Sequence, residues 1–138
     1  MLDVLLQKLT GIKAATEAAL TERSPLQRYE DVEKDLRDKW EEELTASIEA
    51  EYRRQRTDLV VLLQRWFRDV WVETLVAKPE SSGLLNYPRL GGARKVAQRI
   101  SSKQAVENLQ VMENLQRLLH TNVQEALALE VGLLKLHL

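Results

Sequence analysis

Apolar residues recur along most of this chain at steps of three and four, the spacing of one face of an α-helix. Leu2, Leu5, Leu6, Leu9, Ile12 and Ala19 define a first helix over residues 2–20. Gly11 weakens it by roughly 1 kcal/mol relative to alanine. Ser24, Pro25 and Gln27 then read as N-cap, N1 and N3 of an S-x-x-Q capping box that opens a second helix. Its apolar positions, Tyr29, Val32, Leu36, Trp40, Leu44, Ile48 and Tyr52, mostly step by four. Such a stripe winds slowly around a 3.6-residue helix and meets partners on one side only. Glu30–Lys34, Glu33–Arg37, Asp35–Lys39 and Glu49–Arg53 are acid-first i,i+4 pairs on this helix, each contributing about 0.2–0.5 kcal/mol.

The third helix, over 57–77, is far more apolar. Thirteen of the 19 residues from 59 to 77 are apolar, which predicts a central position in a bundle. No breaker separates it from the second helix. A continuous run of about 50 residues would span about 75 Å, too long for a compact domain of this size, so a bend near Thr57-Asp58 or a protruding arm is expected. Pro79, Gly83, Pro88, Gly91 and Gly92 mark a loop over 78–92. A short helix over 93–100 follows. Ser101 to Gln104 forms a second capping box, opening a helix with Ala105, Val106, Leu109, Met112, Leu115 and Leu119 inward. Asn122, with Glu125 at N3, caps a last helix that is apolar on more than one face. No strand-like alternation with hairpin signals occurs. The expectation is an all-α bundle of five or six helices with a long charged helix: one domain over 1–138, with a charged arm at 24–56.

Composition narrows the chemistry. With 138 residues, 44% hydrophobic and 30% charged, the chain is too apolar for disorder. Its longest apolar run, residues 59–63, is far short of the roughly 20 residues a bilayer requires, and the N-terminus lacks the basic region of a signal peptide. There is no cysteine, which excludes disulfides, thiolate metal sites and cysteine nucleophiles. No P-loop, H-E-x-x-H, G-x-S-x-G or EF-hand pattern is present. His120 and His137 read as surface or helix-capping residues. Consecutive Glu41-Glu42-Glu43 splay around a helix and cannot converge on one ion. Gly91-Gly92-Ala93-Arg94-Lys95 could offer free N–H groups to an anion but reads first as a joining loop. Trp40, Trp66 and Trp71 lie on apolar stripes, as packing residues do. No catalytic, cofactor-binding or metal-ligating set emerges, and the chain is expected not to be an enzyme.

Charge is informative locally. The formal net charge is −1, yet residues 30–51 hold ten acids and three bases. Residues 89–103 hold five bases, Arg89, Arg94, Lys95, Arg99 and Lys103, and no acid. That patch could touch phosphates or an acidic protein surface, although it lacks the interleaved aromatics of a single-strand platform.

Two segments resemble a known family. LVVLLQRWFRDVWVETL, residues 59–75, resembles the leucine-rich helix and W-x-R-D segment in the C-terminal collar domain of bacterial DNA polymerase III clamp-loader subunits, of the delta-prime or gamma/tau type; Trp66, Arg68 and Asp69 fall on that pattern. NVQEALALEVGLL, residues 122–134, resembles the family's closing helix. Asn122, Leu127, Ala128, Leu129, Glu130, Leu133 and Leu134 match, while Gln124 departs from an asparagine and Gly132 from a leucine. Leu84-Leu85-Asn86 resembles the loop that follows the tryptophan helix. Family members carry an ATPase module before the collar. This chain has no Walker A sequence, no Ser-Arg-Cys arginine finger and no zinc-binding cysteines, so it is similar to a collar alone.

The resemblance implies a cytoplasmic, non-catalytic assembly domain that packs side by side with homologous clamp-loader subunits, with only indirect or weak DNA contact. Trp66, Arg68, Asp69, Trp71, Asn122, Leu127, Leu129, Glu130, Leu133 and Leu134 are then candidates for the subunit interface or core. Two other readings stand beside it: a helical adaptor using 24–56 as a coiled-coil arm, and a nucleic-acid-binding module using the 89–103 patch.

Overall fold

A computed structural model describes residues 1–29, 31–76 and 83–138. The fold is all-helical, as the periodicity predicts. The elements are α1 (Leu2–Arg23), a 3-10 turn (Pro25–Gln27), α2 (Lys34–Leu75), α3 (Gly92–Ala97), α4 (Ser102–Leu119) and α5 (Glu125–Leu134). Ala77, Pro79 and the 78–82 part of the expected loop lie outside the described residues, as does the Glu30–Lys34 pair. Tertiary contacts group the chain into two compact units: Asp3–Asp58 with Met1, and Leu59–Leu138 with Leu2.

In the first unit the charged segment has its own partner, α1. Gln55 Nε2 donates to the buried Thr16 Oγ1 at 3.4 Å, and Lys13 Nζ lies 5.9 Å from the centre of the Tyr52 ring. The second helix does not start at Ser24. Ser24 Oγ accepts from Leu26 N at 3.3 Å, but the cap opens only a single 3-10 turn, and α2 begins at Lys34. Tyr29 and Trp40 bring their ring centres to 6.1 Å, whereas eleven residues of straight helix would separate them by about 16 Å, so their pairing fits a helix that starts after residue 29.

Thr57 and Asp58 lie within α2, one helix of 42 residues with neither glycine nor proline. Arg54 reinforces this stretch, donating from Nε and Nη2 to Glu51 at 2.9 and 2.7 Å and from Nη1 to Asp58 at 2.9 Å. Of the remaining expected pairs, Glu49–Arg53 closes at 3.7 Å. Arg37 reaches Glu41 at 3.7 Å instead of Glu33, which precedes the helix. Asp35 and Lys39 form no ion pair among the described residues.

The second unit is built around Val60, Phe67, Val70 and Val72 of α2, Ala93 of α3, Ala105, Met112, Leu115 and Leu119 of α4, and Ala128 and Leu129 of α5. The α4 capping box is complete: Ser101 Oγ accepts from Gln104 N at 3.2 Å, and Gln104 Oε1 accepts from Ser101 N at 2.9 Å. The inward register of α4 is 105, 108, 112, 115, 119, so Asn108 takes a core position and Val106 is exposed. Asn108 Oδ1 accepts from His137 N at 2.8 Å and Nδ2 donates to His137 O at 2.7 Å, latching the chain after α5 onto α4. Gln64 on α2 donates to Gln116 Oε1 on α4 at 2.8 Å. The cap expected of Asn122 is not formed; α5 begins after Gln124, with no side-chain cap.

Gly132 lies against Leu115 in the α4–α5 contact. A Cβ there would sit 3.4 Å from Leu115 Cδ1 and Cδ2, ordinary contact with nothing to spare. Gly132→Ala is therefore expected to hold stability level or raise it by up to about 1 kcal/mol. Gly132→Leu should overpack the α4–α5 contact and lower stability by about 1–3 kcal/mol in urea titration. In the first unit, hydrogen bonds from Arg54 and then Gln55 hold the Glu51 carboxyl at about 2, against an ordinary 4.5. Because this folded value is depressed, its stabilising effect is present above pH 4.5 and lost as pH falls through about 2. Arg54→Gln should return the Glu51 midpoint toward 4.5 in a carboxyl-resolved NMR titration.

Candidate functional site

The two segments 66–69 and 84–86 meet. Asp69 is fully buried on α2, and its carboxylate grips the loop after the helix. Oδ1 accepts from Asn86 N and Asn86 Nδ2, both at 2.9 Å; Oδ2 accepts from Tyr87 N at 2.8 Å. Arg68 Nη1 donates to Leu84 O at 2.8 Å and lies 3.5 Å from Asp69 Oδ1. Asn86 Nδ2 also donates to Arg65 O at 3.4 Å. Loops carry backbone N–H groups that sheets and helices would otherwise satisfy, and here one carboxylate takes two of them. Arg68 and Asp69 thus position a loop. Tyr87 Oη, by contrast, is buried with no partner among the described residues.

The tryptophans pack. Trp66 meets Phe67 edge-on at 5.0 Å, and a side chain at Gly92 would come within 3.8 Å of Trp66 Cζ2, so α3 starts close against α2. Trp71 is half-buried. The closing helix sorts its residues onto two faces. Ala128, Leu129 and Gly132 are buried and Leu133 is half-buried. Leu127, Val131 and Leu134 are exposed at 52, 43 and 80%, with Val123 and Leu138 exposed on either side of the helix. Steps of four and three put Leu127, Val131 and Leu134 on one stripe, which Glu130 flanks in solvent. Asn122 is exposed. Beside this stripe runs a groove of about 410 Å³ between α4 and α5, lined by Val111, Leu115, Leu118 and Val131, with Gln110, Asn114 and Lys135 at its rim.

The basic patch is partly neutralised. Arg94 Nε lies 3.4 Å from Glu73 Oε2, while Arg89, Lys95, Arg99 and Lys103 are exposed. His120 is the C-cap residue of α4, as expected. His137 is not a bare surface histidine: its Nε2 lies 3.1 Å from Glu107 Oε2 and its backbone is held by Asn108. Asn108 was missed because it is polar; the signal was its place in the 3,4 register of α4. Among the described residues no three acids or histidines gather as a metal would require, and no helix is long and apolar enough to cross a membrane. Comparison with family models, curated proteins and solved structures finds no match for this chain.

The loop anchor is testable by denaturation. Asp69→Ala strands two backbone N–H groups and should lower stability by about 2–4 kcal/mol. Tyr87→Phe removes an unsatisfied hydroxyl and should leave stability unchanged or raise it by about 1 kcal/mol. A loss below about 0.5 kcal/mol for Asp69→Ala would show that water replaces the carboxylate and that the anchor carries little.

Proposed function

We propose that this chain is a subunit-assembly domain, acting in DNA replication as a collar of the DNA polymerase III clamp-loader type by packing against homologous subunits, without catalysis of its own. The observation that carries the reading is the exposed stripe of Leu127, Val131 and Leu134 on a helix whose opposite face is core. Single exposed apolar residues are ordinary in folded proteins, but two leucines and a valine on successive turns, beside a groove with apolar walls and a polar rim, support an interaction surface. Two observations support the clamp-loader partner in particular. The stripe belongs to the segment that resembles the family's closing helix. The W-x-R-D segment and the Leu-Leu-Asn loop, quoted separately for the resemblance, are joined through Arg68 and Asp69.

The packing would be helix on helix, with the stripe as ridge and the α4–α5 groove as its neighbouring recess. A homologous helical domain fits this chemistry because the surface is aliphatic at its centre and polar at its rim. The adaptor reading places the interaction on 24–56 instead, and the two separate cleanly. Leu127→Glu with Leu134→Glu should abolish association with homologous clamp-loader subunits in analytical ultracentrifugation, leaving the helical circular dichroism unchanged. Charge reversal at Glu42 and Glu43 should leave association intact. Wild-type association by the stripe variant, or loss of it by the arm variant, would overturn the proposal.

A further inference from the structure

The second unit holds a charge distribution that assembly does not use. Among the described residues 59–76 and 83–103 there are seven bases and two acids. Both acids are withdrawn from the surface. Asp69 is fully buried on the loop amides, and the Glu73 side chain is 6% exposed against Arg94. The exposed ionic side chains that remain are all cations: Arg65, Arg68, Arg89, Lys95, Arg99 and Lys103.

The fold gathers them. Asn86 Nδ2 on Arg65 O and Arg68 Nη1 on Leu84 O lay the loop along α2, and Gly92 against Trp66 and Arg94 on Glu73 lay α3 there too. Arg65 and Arg68 lie one turn apart on α2 and Arg89 follows in the anchored loop. Lys95 is on α3, Arg99 in the turn after it, and Lys103 in the first turn of α4. We infer that Arg65, Arg68, Arg89, Lys95, Arg99 and Lys103 form a docking surface for the phosphate backbone of duplex nucleic acid.

Three features favour that partner over an acidic protein. Four of the six cations are arginines, whose planar fork matches phosphate oxygens. Leu84 and Leu90 of the loop and Leu62, one turn before Arg65 on α2, are exposed, and three leucines among six cations do not make the apolar centre of a protein interface. Trp66 and Tyr87 are half-buried and occupied in packing, so bases have no stacking platform and the contact is to backbone alone. Such binding is indifferent to sequence and dominated by counterion release. It is independent of the α5 stripe.

Fluorescence anisotropy of the full chain with a mixed-sequence duplex of about 20 base pairs tests this. Four or more phosphate contacts predict affinity falling at least about 100-fold between about 50 and 200 mM salt. Arg89→Glu with Arg99→Glu should weaken binding at low salt by at least about 10-fold, and Arg89→Gln with Arg99→Gln should reduce the log–log salt slope by about 2. Arg117→Glu, on the exposed face of α4 outside the patch, should bind as wild type. Absence of saturable binding at low salt overturns the inference. So does equal weakening by Arg117→Glu. Displacement of the duplex by poly-L-glutamate at equal charge would assign the patch to acidic protein and overturn it as well.

Discussion

The second unit depends on one buried carboxylate. Asp69 lies among buried apolar residues near the C-terminal end of α2, where a charge without partners would be costly. It is tolerated because the loop supplies two backbone N–H groups and an amide within 2.9 Å. The dependence is mutual: a loop whose backbone N–H groups have no helical partner is held by a group that could not be buried without them. Once residues 84–87 are fixed, Gly92 meets Trp66 and α3 is seated.

The first unit rests on weaker and more distributed forces. Its ion pairs are exposed, and each adds only tenths of a kcal/mol. Its buried residues include Leu9, Thr16 and Ser24, two of them polar. The contrast with the second unit is one of kind: winding stripe and charge on one side, dense aliphatic packing on the other. The exposed stripe of Leu127, Val131 and Leu134 and the exposed cations of residues 65–103 both belong to the second unit.

Local signals were legible in the amino-acid order. The Ser101–Gln104 box is complete because its partners are three residues apart and need nothing else. The Pro/Gly punctuation likewise marked where α2 had to end. The Ser24 signal was equally good and yet opened only one 3-10 turn, after which Tyr29 lies against Trp40, a contact that a short window of sequence does not contain. Arg94 read as a free cation until Glu73, 21 residues earlier, neutralised it. Arg68 and Asp69 stood in the W-x-R-D pattern, but their contacts to residues 84–87 needed the loop. In α5, leucine and alanine surround the helix, so periodicity could not say that Leu129 faces the core while Leu127 and Leu134 face out.

The latch between Asn108 and residue 137 is made of peptide atoms on one side and a side chain on the other. Contact of that kind divides responsibility unevenly. Asparagine must be asparagine, since only a carboxamide offers a donor and an acceptor in the plane that matches one peptide's N–H and C=O. The other partner can be almost any residue except proline, whose nitrogen has no hydrogen to give. Two positions touch, yet only one of them carries the specification. The imidazole of His137, 3.1 Å from Glu107 Oε2, is thereby released from holding the chain.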